Sequence, residues 1–469
     1  MRSLLNRMSD QRFLRKPSIL VIVFSACFIF WFVDFWRPYN AAKNHNQFVW
    51  DVLNYYSYLP ATFCNDGSYQ FFNGGDSIFM PYAPDGDPMP KTTYGMSLLY
   101  SPFFAIGYGF AVIQDNALTG FSEPFATGIH WGSIIYVLLG IVFLRKFLLY
   151  YFNEVVTAIT LVAVLYGSLL FMYGFAHAEM PHGYLFTIYS ALLLATHHWH
   201  LRPTYIKTIL VGLLVGIAVL IRPTEIYCVL FFVFWNVRTW RELGTKARFF
   251  LSHWRHMVLF AVVCFLYWVP QMIFWYNRTG SPIYFSYPGE GFFWNDPQII
   301  NILFSYRKGW ITYTPLVIMA FVGFFFVRRE FPVSKWLLFG VTALLIYVLS
   351  CWWDWFFGGS FGARAFCQFI AFLAIPIASL FDHLLYSEKK FVMRGAVTLL
   401  SFVYLFSCVC QNIGHTYHFL HNRIHFDSMT KAVYWDVFRT YQFSDYFDYW
   451  HRLDPPDYDK MRSGEDRDL

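Results

Sequence analysis

SILVIVFSACFIFWFVDFW, residues 18–36, is long and apolar enough to cross a bilayer, and the chain turns polar directly after it. Trp50-Asp51, and then Tyr55-Tyr56-Ser57-Tyr58-Leu59-Pro60, stand in a long loop before the next run of membrane length. This puts Asp51 beside the bilayer on an amphipathic segment, where a carboxylate can act on something carried by lipid. So large a polar insertion directly after the first helix is unusual for a simple transporter. It suits an enzyme that works at the interface.

The rest of the chain has the same character. Of 469 residues, 57% are hydrophobic, 23% aromatic and 14% charged, with a mean hydropathy of +0.40. Soluble domains carry about 25% charged residues, so lipid is the main solvent here. Apolar runs recur at 18–36, 127–144, 156–176, 183–199, 207–221, 224–237, 257–275, 310–327, 336–351, 366–386 and 392–411. The expected fold is an all-α polytopic membrane protein with about eleven transmembrane helices and outer-face juxtamembrane helices. Residues 1–17 read as a cytoplasmic N-tail, 18–411 as the multi-pass domain and 412–469 as an outer-face tail with an amphipathic helix. Within the multi-pass domain, 37–126 is the first outer loop. The first helix is too long and aromatic for a cleaved signal, and no small-residue cleavage site follows it. The run from Tyr94 to Ile113 contains Gly95, Pro102, Gly107 and Gly109, and it reads as a broken juxtamembrane or re-entrant segment. The eight cysteines show no framework or zinc spacing.

Charge sets the expected orientation. With the N-terminus inside, the cytoplasmic segments hold 20 of the 35 basic residues and only six of the 29 acids. The positive-inside rule predicts this asymmetry. The net charge of +6 then reflects topology and does not indicate nucleic-acid binding. Every polar feature of chemical interest falls on the outer side.

Asp51 is the first candidate, as a general base, a metal ligand or a sugar ligand; a helix N-cap or a solvated acid is the plain alternative. Tyr55 and Tyr56 flank it as candidate binding residues. His177-Ala178-Glu179-Met180-Pro181-His182 supplies a second carboxylate between two imidazoles, able to hold a divalent ion, a phosphate or an acceptor, or to serve only as a polar turn. Its HxExxH spacing is not the zinc-protease pattern. Lys91, Arg222, Arg307, Lys308 and Arg364 are the basic residues near helix ends. Guanidinium groups grip phosphate oxygens in pairs, although they also snorkel to headgroups. Glu290 and Asp354 sit in loops dense in aromatic residues and glycine, where rings stack on sugars or form an interfacial belt. His415, His418, His421 and His425 share nearly one helical face, and the acidic tail after Asp454 reads as solvated and mobile.

The order of these features resembles the GT-C superfamily of integral-membrane glycosyltransferases, from about Asp51 to Ser379. Asp51 stands where that family places an acid early in its first outer loop. Glu179 stands where a second acid commonly lies in the next. Lys91-Thr92-Thr93-Tyr94-Gly95, leading into Leu98-Leu99-Tyr100-Ser101-Pro102, is similar to the passage into the family's juxtamembrane helix. Ile221-Arg222-Pro223-Thr224 is similar to an Arg-Pro boundary in bacterial members, and Tyr306-Arg307-Lys308-Gly309 and Gly362-Ala363-Arg364 are similar to segments of bacterial relatives. The chain departs from the pattern in having a single first acid and no large soluble C-terminal domain. Trp352-Trp353-Asp354 spells an acceptor-reading motif but occupies a short turn, so that role is not carried over.

The resemblance implies a polyprenyl-phosphate-linked sugar donor and a glycan, lipid or protein acceptor, with surrounding membrane lipids. It also implies a multi-pass protein of a bacterial inner membrane with its site on the outer face. Asp51 and Glu179 become the expected catalytic residues, and a divalent metal is a conceivable cofactor. Tyr55, Tyr56, Lys91, His177, His182, Arg222, Glu290, Arg307, Asp354 and Arg364 become expected substrate-binding residues. A flippase or transporter, or a polymerase or ligase of lipid-linked glycans, are the competing readings.

Overall fold

The computed structural model describes residues 16–42, 48–71, 80–84, 86–387, 394–439, 446–465 and 467. The N-tail expected at 1–17 falls almost wholly outside them, as do Lys389 and Lys390. Among the described residues there is no strand, only two isolated bridges, Tyr82 with Pro88 and Phe292 with Trp352. Nine helices frame the bundle and its candidate site: α1 (Pro17–Ala42), α2 (Trp50–Tyr56), α3 (Gly95–Ile113), α4 (Glu123–Leu148), α5 (Pro181–Leu201), α6 (Tyr205–Ile221), α7 (Trp254–Thr279), α8 (Arg364–Tyr386) and α9 (Arg394–Leu420).

Helices α3, α4, α7, α8 and α9 are long and apolar enough to cross a membrane. Pro17–Phe32, Glu154–Tyr166, Tyr205–Ile221, Pro223–Val233, Leu316–Phe326 and Lys335–Cys351 are apolar but shorter. The chain is thus an all-helical protein of membrane character, with five helices of spanning length and six shorter apolar ones among the described residues. Several apolar runs are interrupted. The run 156–176 stops at Tyr166 and resumes as the wide turn Met172–Ala176. The run 310–327 divides at Thr314-Pro315 into Trp310–Tyr313 and Leu316–Gly323, since proline cannot donate to the turn before it.

Residues 95–113 depart from expectation: they form one uninterrupted 19-residue helix, not a broken segment. Pro102 lies inside it, and the Leu98 carbonyl that loses the Pro102 N–H accepts from Ser101 Oγ at 2.8 Å. The glycines allow close contact rather than breaking the helix. A Cβ added at Gly107 would lie 2.8 Å from Phe125 Cα, and one at Gly128 would lie 2.7 Å from the Phe103 carbonyl oxygen. Helices α3 and α4 therefore meet backbone to backbone, as small residues permit where lipid supplies no hydrophobic drive. Gly128→Val is expected to destabilise the protein by about 1–3 kcal/mol, read as a lower thermal unfolding midpoint in detergent. An unchanged midpoint would mean that the two helices do not touch there.

The two ends of the bundle differ in charge. At one end Arg145 pairs with Glu154 at 2.7 Å, Arg328 pairs with Asp382, Lys207 donates to the His198 and Arg202 carbonyls, and Lys246 donates to His200 and the Trp235 carbonyl. The other end carries Asp51, Lys91, Arg222, Glu290, Asp354 and Arg364. The segment after Asn412 is packed against this second end and is not a free tail. Arg467, 3% exposed, donates to Asp296 at 2.8 Å and to the Trp352 carbonyl at 2.9 Å. Arg462 lies over the Trp353 ring at 5.0 Å, and Tyr458 donates to Asp427 at 2.8 Å. The acidic composition suggested solvation, but Arg467 finds the Asp296, Ser350 and Trp352 carbonyls as acceptors.

Candidate functional site

Asp51 lies in the first turn of α2, where a carboxylate is favoured by the helix dipole. The residue before it, Trp50, takes a left-handed backbone (φ 50°), a strained conformation for a bulky side chain and one that clusters at functional sites. The short helix is tied down along its length. Asn54 Oδ1 accepts from the Lys91 N–H at 2.6 Å, Ser97 Oγ donates to the Tyr55 carbonyl at 2.5 Å, and Tyr58 donates to the Thr92 carbonyl at 2.8 Å. Thr93 Oγ1 donates to the Leu220 carbonyl and the Tyr94 N–H to Gln271 at 3.0 Å, so residues 91–94 fix α2 against the end of α6 and the side of α7.

From across the site Arg364 reaches Asp51, Nη2 to carboxylate, at 2.9 Å. Arg364 is nearly buried, and its Nε has no hydrogen-bond partner, while the Asp51 side chain is 46% exposed. Arg222 caps α6 at the boundary and faces the same group of residues. Its guanidinium makes no hydrogen bond or ion pair with any described residue, yet Tyr55, Glu225, Tyr287 and Asp51 all lie within electrostatic reach. Burial pushes the Tyr55 phenol up to about 12 against the opposing pull of Arg222, and it raises that of Tyr287 as well. Both rings are therefore neutral donors at physiological pH.

Two loops close the site. Lys91 pairs with Glu290 and lies 4.6 Å over the Tyr287 ring, and Trp353 Nε1 donates to the other Glu290 oxygen at 3.0 Å. The Glu290 loop is zipped to the following turn by Trp353 N–H to the Gly291 carbonyl at 2.9 Å and by Phe293 N–H to the Cys351 carbonyl at 2.7 Å. In that turn Phe357, Gly358 and Gly362 have positive φ. At Gly362 a Cβ would meet Leu169 and Tyr313 at 3.0 and 3.1 Å, so glycine is needed there for space as well as for conformation. The buried Lys308 donates to the Gly358 carbonyl at 2.7 Å and to Ser360 at 2.6 Å. Burial lowers its ammonium, and the nearby Arg364 charge adds to the shift.

Asp354 is buried in the same turn. Burial raises its carboxyl to about 6, although Lys308 and Arg364 pull the other way. A carboxyl raised in the folded state contributes stability that is present below its ordinary pKa and lost as pH rises through about 6. Asp354→Asn, which mimics the protonated form, is expected to flatten the fall in melting temperature between about pH 4 and 6. Parallel wild-type and variant curves would contradict this assignment.

Below Arg222 lies a buried network whose centre the sequence reading missed. Glu225 is 2% exposed; it accepts from Tyr189 and, at 2.8 Å, from Gln368 Nε2. Gln368 Oε1 meets His182 Nδ1 at 2.9 Å. The available signal was a carboxylate just inside the apolar run that starts at residue 224.

Eight of the expected residues thus gather here: Asp51, Tyr55, Lys91, His182, Arg222, Glu290, Asp354 and Arg364. Four do not. Tyr56 is a core residue, stacked on Phe48 at 4.0 Å with its hydroxyl on the Gly120 carbonyl, because the α2 face opposite Asp51 must bury its rings. Glu179 pairs instead with His130 on α4. Burial works to raise its carboxyl, but the His130 imidazole outweighs this and the net shift is downward. His177 is exposed near Phe419, away from the group. Arg307 is 3% exposed and clamps the C-terminal segment through Asp454 at 3.1 Å and the Asp427 carbonyl, so it is committed to packing. Among the described residues no set of three or more His, Cys, Asp or Glu side chains is placed to hold a metal ion, the His415–His425 face included.

The arrangement is a paired carboxylate and guanidinium open on one side, a second guanidinium without a partner, and neutral phenols around them. No family model matches this sequence, and no curated protein matches it.

Proposed function

We propose that this chain is a membrane glycosyltransferase, GT-C-like, that moves a sugar from a polyprenyl-phosphate donor to a hydroxyl of a glycan, lipid or protein acceptor. The observation that carries the reading is the unpartnered Arg222 guanidinium beside the Asp51–Arg364 pair. Its charge is favoured by Asp51, Glu225 and the phenols nearby, while its donors make no hydrogen bond with a described residue and so are open to a ligand. A phosphate is the anion that a guanidinium fits best.

Arg222 takes the donor phosphate. As the phosphate approaches, it competes with Asp51 for Arg364, which frees the carboxylate while placing a second cation on the leaving group. Asp51 then accepts the proton of the acceptor hydroxyl as that oxygen bonds to the anomeric carbon. The bond from that carbon to the phosphate oxygen breaks, and its electron pair leaves with the lipid phosphate. Attack opposite the leaving group inverts the anomer. A phosphate needs little help from a general acid, so the cations suffice. Tyr55 and Tyr287 supply hydroxyls for the sugar. Glu179, bonded to His130, is left outside the reaction. The basic residues gathered at the far end support an N-terminus in the cytoplasm and a site on the outer face, as in a bacterial inner membrane.

The test is an incubation of purified protein with a panel of labelled lipid-phosphate sugars and candidate acceptors, with products identified by mass spectrometry. A glycosylated product with one of the donors is expected. Intact donor across the whole panel would remove the reading.

A further inference from the structure

Arg222 has an obvious internal partner that it does not use. It caps the 3₁₀ turn Pro223–Cys228, and the Glu225 N–H bonds to the Arg222 carbonyl at 2.9 Å. Glu225 lies within electrostatic reach of Arg222, and an Arg-Glu ion pair would be the default for a buried carboxylate beside a guanidinium at the rim. Both carboxylate oxygens of Glu225 are instead turned to other donors. Oε2 takes the Tyr189 hydroxyl from α5, and Oε1 takes Gln368 Nε2 from the start of α8 at 2.8 Å. The Gln368 amide cannot be reversed, because the same nitrogen also faces the Ala365 carbonyl, an obligatory acceptor, at 3.1 Å. Its oxygen is then left to accept from His182 Nδ1 at 2.9 Å. Tyr189, His182 and Gln368 are all buried, so the chain of donors is rigid.

We propose that Gln368 and Tyr189 are positioning residues that hold the Glu225 carboxylate off Arg222 and so keep its guanidinium available for an anionic phosphate group. The inference rests on the reading of Arg222 as the phosphate anchor, and it assigns part of the anion affinity to residues that never touch the ligand. Removing a donor from Glu225 lets the carboxylate turn to Arg222 and neutralise it. Affinity for a phosphate head then falls, while affinity for the isoprenoid chain does not.

The experiment measures binding of farnesyl phosphate, and of uncharged farnesol as control, to the purified full chain in detergent. Wild type is expected to bind the phosphate more tightly than the alcohol. Gln368→Leu should weaken farnesyl phosphate binding by about tenfold, the scale of one charge-assisted contact, and leave farnesol binding unchanged. Adding Glu225→Gln to that variant should restore phosphate binding. A general packing defect would not be cured by a second buried substitution. Tyr189→Phe, which removes one oxygen, is the alternative if Gln368→Leu does not fold, and it should act in the same direction. Wild-type phosphate affinity in a folded Gln368→Leu or Tyr189→Phe variant would overturn the proposal, as would loss that Glu225→Gln does not rescue. If wild type itself shows no preference for the phosphate over the alcohol, the reading of Arg222 falls, and the positioning role falls with it.

Discussion

Asp51→Asn is expected to reduce transfer by about a thousandfold or more, within the range that a positioned general base supplies. The substitution removes one negative charge and keeps the shape. The side chain is half exposed, and helix α2 and the turn after it are held by Asn54, Ser97 and Tyr58 rather than by Asp51, so the fold should survive. Its effect on binding should have the opposite sign. Arg364 loses its partner and becomes available, so lipid phosphate should bind as tightly as in wild type or more tightly while turnover vanishes. Single-turnover rates and equilibrium binding of the same donor separate the two effects. Substantial turnover in the Asn variant would take Asp51 out of its role, and weakened binding would mean that Asp51, not Arg222, helps to hold the donor.

Arg222→Met should lower kcat/KM by about a hundred- to a thousandfold, the weight of one preorganised group at the developing charge. Here binding and turnover should fail together, because the phosphate carries charge in the ground state and gains more as the bond breaks. Arg222→Lys should recover only part of the loss, since an ammonium is a point charge and cannot engage two phosphate oxygens in a plane. The buried neighbour Glu225 makes the Met variant informative about stability as well. Glu225 keeps its bonds to Tyr189 and Gln368, so the variant should still fold and melt cooperatively. A Met variant of normal activity would leave the site without its anion anchor.

The features legible in the sequence and those hidden from it divide along physical lines. Membrane character was legible because lipid imposes a compositional rule on every exposed span, and the charge asymmetry between the two groups of loops is equally plain. The convergence of Asp51, Arg222 and Arg364, 313 residues apart at the extremes, was legible only as three boundary charges on one predicted face. Local cues misled where packing overrode them. Gly107 and Pro102 looked like breaks in residues 94–113, but Gly107 is a contact with α4 and the bond lost at Pro102 is replaced by Ser101. Arg307 looked like Arg364 in sequence, and only the path of the C-terminal segment assigns one to packing and the other to Asp51. Tyr55 and Tyr56 are adjacent, yet helix geometry turns one toward Arg222 and the other into the core against Phe48. Glu225 and Gln368 were illegible as a pair because nothing in a single sequence couples positions 225 and 368.

The central claim is that a bond is broken, not merely that a lipid is bound or moved. The most direct measurement uses sealed proteoliposomes containing the purified protein, the donor identified from the panel and its acceptor, and follows free polyprenyl phosphate and glycosylated acceptor together. One lipid phosphate released per sugar transferred, with the anomer inverted and both signals absent in Asp51→Asn, is the predicted result. Donor that changes leaflet but is recovered intact would contradict it and identify a carrier.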